Sequence, residues 1–101
     1  MNLQDLLYKV SLESVLGSTN VEISDIQFDS RKIAKNNLFV AVSGTISDGH
    51  KFISNAISDG AIAIVVEQFP EEIDENITYI KVKNSNNALG IVASNFYNNP
   101  S

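Results

Sequence analysis

Apolar residues recur along the chain at two spacings, and the changes between them mark out its elements. Leu3, Leu6, Leu7 and Val10 fall on one face of a short helix, with Asn2 where its N-cap belongs. Residues 16–20, Leu-Gly-Ser-Thr-Asn, read as a loop. Within residues 21–30, Ile26 and Phe28 alternate with Gln27 and Asp29, which predicts a strand ending in the polar pair Ser30-Arg31. Lys35-Asn36-Asn37 makes a turn. Leu38-Phe39-Val40-Ala41-Val42 is apolar without a break, the pattern of a strand covered on both faces. A loop over residues 43–49 leads into a helix expected from near Asp48, with Phe52, Ile53, Ala56 and Ile57 as its stripe. Gly60 sits where a C-terminal cap belongs. Residues 61–66, Ala-Ile-Ala-Ile-Val-Val, predict a second buried strand, so this stretch is a βαβ unit and its strands pair in parallel.

Five acids surround Pro70 in residues 67–76, which read as a solvated connection. A further strand covers residues 77–82. The last helix covers residues 85–97, with Leu89, Val92 and Phe96 on one face, and Asn98-Asn99-Pro100-Ser101 ends it. The fold expected is a single α/β domain over residues 1–101, a small, mostly parallel sheet with flanking helices. A chain stopping at Pro-Ser just after a helix reads as one domain of a longer protein.

Composition narrows the function. With 7 Lys+Arg against 12 Asp+Glu, the net charge of −5 argues against nucleic acid and anionic membranes as partners, since both require a basic face. The absence of cysteine removes disulfides, thiol catalysis and thiolate metal sites. The first ten residues, MNLQDLLYKV, lack the pattern of a signal peptide, and no apolar run reaches the roughly 18 residues of a membrane span. A soluble, intracellular domain is the expectation. Its basic chemistry is sparse: Arg31 is the single arginine and His50 the single histidine.

Two segments are candidates for chemistry. Residues 44–51, Gly-Thr-Ile-Ser-Asp-Gly-His-Lys, approach a phosphate-binding P-loop but miss its spacing. His50 separates the second glycine from Lys51, and Phe52 stands where the magnesium-binding Ser or Thr belongs. The loop still follows a buried strand and leads to a helix, a place where unpaired N–H groups meet anions. Equally, Asp48 could cap that helix and Gly49 relieve backbone strain. In Asp29-Ser30-Arg31, a carboxylate, a hydroxyl and a guanidinium stand together at a strand end. They suit a sugar or phosphate, or else an Asp–Arg surface pair or a turn cap. His50 has neither a nucleophile partner nor a second histidine for a metal.

Phe28-Asp29-Ser30-Arg31-Lys32, Asn37 to Gly44, Asp48-Gly49-His50-Lys51-Phe52-Ile53, Ala56, Gly60-Ala61 and Ala63-Ile64-Val65 occur in an order that resembles the N-terminal domain of the Mur ligases of peptidoglycan synthesis. The resemblance covers about residues 22–101. The ending Phe96-Tyr97-Asn98-Asn99-Pro100-Ser101 is similar to that of the member adding a diamino acid to UDP-N-acetylmuramoyl-L-alanyl-D-glutamate. The sister ligase that adds D-alanyl-D-alanine shares the Asp-Gly-His and strand pattern, and a stand-alone α/β interaction module is the alternative outside the family.

The resemblance implies that this domain anchors the UDP end of a UDP-N-acetylmuramoyl-dipeptide substrate and is inactive by itself. ATP and magnesium belong to a central domain, and the incoming amino acid to a C-terminal one. By motif position, Phe28, Ser30, Thr45, Ile46 and Ser47 are the UDP contacts. Thr45-Ile46 departs from the His-Gln pair of some members, so main-chain contacts are expected to matter more there. The family also implies a cytoplasmic monomer, with no cofactor or metal held by this domain.

Overall fold

The computed structural model describes residues 1–42 and 52–97. Strands β3 (Asn37–Val40) and β4 (Ala63–Val66) are buried at every position, as an unbroken apolar run requires when a sheet is covered on both sides. They pair in parallel, Leu38 beside Ala63 and Val40 beside Val65, with helix α2 (Ile53–Asp59) lying between them in the chain. Strands β2 (Asp25–Gln27) and β5 (Thr78–Val82) extend the parallel arrangement on either side. Strand β1 (Leu12–Leu16) closes the sheet antiparallel to β5, giving the order β1-β5-β4-β3-β2. The expected mixed α/β architecture is therefore the observed one.

Period-two alternation divides the apolar residues between two layers. Leu38, Val40, Val65, Ile80 and Val82 face α1 (Leu3–Leu6) and α3 (Ser85–Tyr97), meeting Leu3, Leu6, Ala88 and Val92. Phe39, Ala41, Ile64, Val66 and Tyr79 face the opposite way, toward Ile53 and Ala56 of α2. The two helices on the first face are tied together by Asn95, whose Nδ2 donates to the carbonyls of Leu6 (2.9 Å) and Tyr8 (2.7 Å). The Tyr97 hydroxyl donates to Asp25 Oδ1 (3.0 Å) and fastens the end of α3 to the start of β2.

Local signals explain most boundaries. Asn2 Oδ1 accepts the Gln4 N–H at 2.9 Å, the N-cap that the sequence predicts. Gly60 ends α2 at φ +124°, where its Cβ position lies 2.8 Å from Lys35 Cα. Only glycine allows both that conformation and that approach. Helix α3 runs over the expected residues.

Two features depart from the sequence pattern, and a third is only partly described. Residues 12–16 form a strand that the hydrophobic pattern does not show. At the sheet's edge four of its five side chains are exposed, so main-chain pairing with β5 holds it and no apolar periodicity is needed. The strand expected over residues 21–30 is regular only over Asp25–Gln27, because Asp29 caps a 3-10 turn over Ser30–Lys32 and draws the chain out of the sheet. Ile26 is consequently buried, whereas Phe28, two residues on, is 63% exposed. The N-terminal part of the helix expected from Asp48 lies outside the described residues. At Phe52, before α2, no side chain caps it.

Candidate functional site

Strands β2 to β5 all point the same way, so their carboxyl ends share one edge of the sheet, the usual place for ligands in α/β domains. The chain leaves that edge as residues 28–32 after β2, as Ala41 and Val42 after β3, as Glu67 after β4 and as residues 83–85 after β5. The last paired positions of β2 and β3 are Gln27 and Phe39. The turn carrying Phe28 and Ser30 and the described residues after β3, Ala41 and Val42, thus emerge from adjacent strands.

Asp29 organises the first of these segments. Its Oδ1 accepts the Arg31 main-chain N–H (3.0 Å) and Nε–H (3.1 Å), while Oδ2 accepts from Nη2 (2.9 Å). The Arg31 side-chain hydrogen bonds, then its main-chain one, lower the Asp29 pKa from 3.8 to about 2. The same bonds raise the pKa of Arg31. Both structural roles open to Asp-Ser-Arg are therefore realised, a turn cap and an ion pair.

That leaves its neighbours. Phe28 exposes an apolar ring to solvent, and Ser30 is 8% exposed with a hydroxyl that has no hydrogen-bond partner among the described residues. Thr45, Ile46, Ser47 and His50, the other candidates, lie outside the described residues. Of the five proposed UDP contacts, the structure places Phe28 and Ser30 on one turn and does not describe the other three.

The acidic connection contains a residue with a structural role that its composition hides. Glu67 Oε2 accepts from both the main-chain N–H (2.7 Å) and the hydroxyl (2.8 Å) of Ser85, which is fully buried. Asn84 Oδ1 accepts the Asn87 N–H at 3.0 Å. At the N-terminus of α3 the main-chain donors of Ser85 and Asn87 are thus occupied by the protein itself. Asn84 reaches a partner only three residues along the chain, a local cap signal. Glu67 carries no such signal, because 18 residues separate it from its partner.

A groove on the α2 side is lined by Ile53, Ile57, Ile73, Tyr79 and the carboxylates of Glu71, Glu72 and Asp74. Its charge opposes an anionic nucleotide. Among the described residues no three His, Cys, Asp or Glu side chains form a group able to hold a metal.

The family described as "Mur ligase family, catalytic domain" matches residues 22–97. The chain belongs to the Mur ligase family. It is 53% identical, over its whole length, to the UDP-N-acetylmuramoyl-L-alanyl-D-glutamate--2,6-diaminopimelate ligase of Cytophaga hutchinsonii, of which it covers 21%. The ligase of the same name from Clostridium tetani is 45% identical over 99% of the chain, again 21% of that protein. The chain therefore spans about a fifth of the curated relatives it matches.

Among solved structures, the UDP-N-acetylmuramoylalanyl-D-glutamyl-2,6-diaminopimelate--D-alanyl-D-alanyl ligase of Acinetobacter baumannii superposes with a TM-score of 0.71. The match covers 93% of this chain and 21% of that one, at 24% identity, and supports the fold. The MurF ligase of Thermotoga maritima, solved in complex with ADP, gives 0.61 at 31% identity over 74% of this chain and 17% of that one. This Mur ligase chain contains no helix, among the described residues, long and apolar enough to cross a membrane.

Proposed function

We propose that residues 1–101 are the N-terminal, UDP-anchoring domain of a UDP-N-acetylmuramoyl-L-alanyl-D-glutamate--2,6-diaminopimelate ligase. The observation carrying this reading is the 53% identity to such a ligase over the whole chain. The turn after β2 supplies a compatible surface: the Phe28 ring offers a uracil an apolar face, and the Ser30 hydroxyl offers a donor and acceptor beside it. Thr45, Ile46 and Ser47 would complete the contact through hydroxyls and main-chain N–H groups. Mur ligases couple ATP hydrolysis to amide formation. In that division of labour this domain positions the substrate's nucleotide end, while ATP, magnesium and the amino acid bind elsewhere in a longer, cytoplasmic, monomeric enzyme.

The D-alanyl-D-alanine-adding sister is the second reading, favoured by the structural neighbours of that type. The 24% identity there, against 53% to the diaminopimelate ligase, places it second. A non-nucleotide interaction module remains the contrasting class. Titrating the chain with UDP while recording amide resonances tests the proposal. Shifts are expected at Phe28, Ser30 and residues 45–47. Shifts confined to the acidic residues 71–75, or none at millimolar UDP, would refute nucleotide binding.

A further inference from the structure

We infer that Arg31 reads the diphosphate of the bound nucleotide and that Asp29 holds it ready to do so, an inference that rests on the nucleotide reading above. The guanidinium is 87% exposed on the turn that carries Phe28 and Ser30. Of its five N–H donors, Nε and one on Nη2 are engaged by Asp29, and the others face no partner among the described residues.

An exposed ion pair contributes little to stability, and the Arg31 main-chain bond to Asp29 already caps the turn. The two side-chain bonds do something else: they restrict a long, rotamer-rich side chain to one pose. A group ordered beforehand loses less entropy when it binds. Guanidinium suits the task because a planar fork can grip a carboxylate along one edge and present its other edge to phosphate oxygens.

Charge agrees with geometry. Both Asp29 oxygens are occupied by Arg31, which limits their repulsion of an incoming anion. Residues 29–32 hold one carboxylate against two cations, Arg31 and Lys32, within a chain whose net charge is −5. The α2-side groove, by contrast, gathers carboxylates. Lys32 is also exposed on the turn, but it lacks any fixing bond among the described residues and acts as a mobile point charge.

The test compares UDP with uridine by calorimetric titration of the chain, its Arg31→Ala variant and its Arg31→Lys variant, with thermal melts to establish that all three are folded. The wild-type chain should bind UDP more tightly than uridine. Arg31→Ala should weaken UDP by about tenfold or more and leave uridine unchanged, the loss expected for a charge-assisted contact. Arg31→Lys should fall between, since it keeps charge and loses the fork. Equal weakening of both ligands, or an undiminished preference for UDP in Arg31→Ala, would overturn the inference. If wild-type chain binds uridine and UDP equally, the nucleotide reading stands and the role of Arg31 falls. If it binds neither, the nucleotide reading falls and takes this inference with it.

Discussion

Replacing Gly60 by alanine should be among the most damaging single-methyl changes in this domain. Its φ of +124° and ψ of 0° lie outside the conformations L-residues adopt readily, a strain of about 1–3 kcal/mol. The added Cβ would stand 2.8 Å from Lys35 Cα and 2.9 Å from both the Ala34 carbonyl oxygen and the Lys35 nitrogen. All three are backbone atoms and cannot rotate aside, so relief requires moving the chain before β3, at a typical overpacking cost of about 1–3 kcal/mol. Restricting the unfolded chain returns about 0.4–1 kcal/mol.

The net loss is about 3 kcal/mol, a large share of the roughly 5–15 kcal/mol that holds a domain together. For a domain of this size it corresponds to a fall of more than about 10 °C in Tm. The Asn36 N–H bond to the Gly60 carbonyl (2.9 Å) would be disturbed by the same movement. Gly90→Ala is the internal control. Gly90 lies within α3 with nothing within 4 Å of its Cβ position, so alanine there should stabilise by about 0.5–1 kcal/mol. Urea titrations at constant m-value and thermal melts read both variants. A Gly60→Ala loss under about 1 kcal/mol, or one no larger than the Gly90→Ala change, would refute the close-approach argument.

Two further outcomes follow from the polar contacts. Glu67→Ala leaves the Ser85 N–H and hydroxyl without that acceptor in a fully buried position. It should cost about 1–3 kcal/mol in urea unfolding, with Glu67→Gln retaining part of it; an unchanged midpoint for Glu67→Ala would show that the cap is dispensable. Asp29 has a folded pKa of about 2, below its ordinary 3.8. Its contribution to stability is therefore present above pH 4 and lost as pH falls from about 4 to 2. Side-chain carboxyl shifts followed by NMR should show that low titration, and Arg31→Ala should return it toward 3.8; a midpoint near 3.8 in the wild-type chain would contradict the ion-pair geometry.

The elements easiest to see in the sequence are those whose side chains report their surroundings. Residues 38–42 and 61–66 are apolar throughout because both sheet faces are covered, and Asn2, Gly60 and the residue 85–97 periodicity mark helix limits through local backbone requirements. Part of the candidate site was legible in the same way, since Asp29-Ser30-Arg31 carries its cap and its ion pair within three residues. Family membership, too, could be read from the ordered motifs.

What only the tertiary structure decided involves partners distant in sequence or exposure set by position. Strand β1 exists through main-chain pairing with β5, which leaves no hydrophobic pattern. Glu67 becomes a helix cap only because β4 delivers it to the start of α3. Ile26 and Phe28 have the same alternation phase, yet one is buried and the other exposed. The cap formed by Asp29 ends the strand between them, so an apolar residue that periodicity assigns to the core stands instead at the sheet's carboxyl edge.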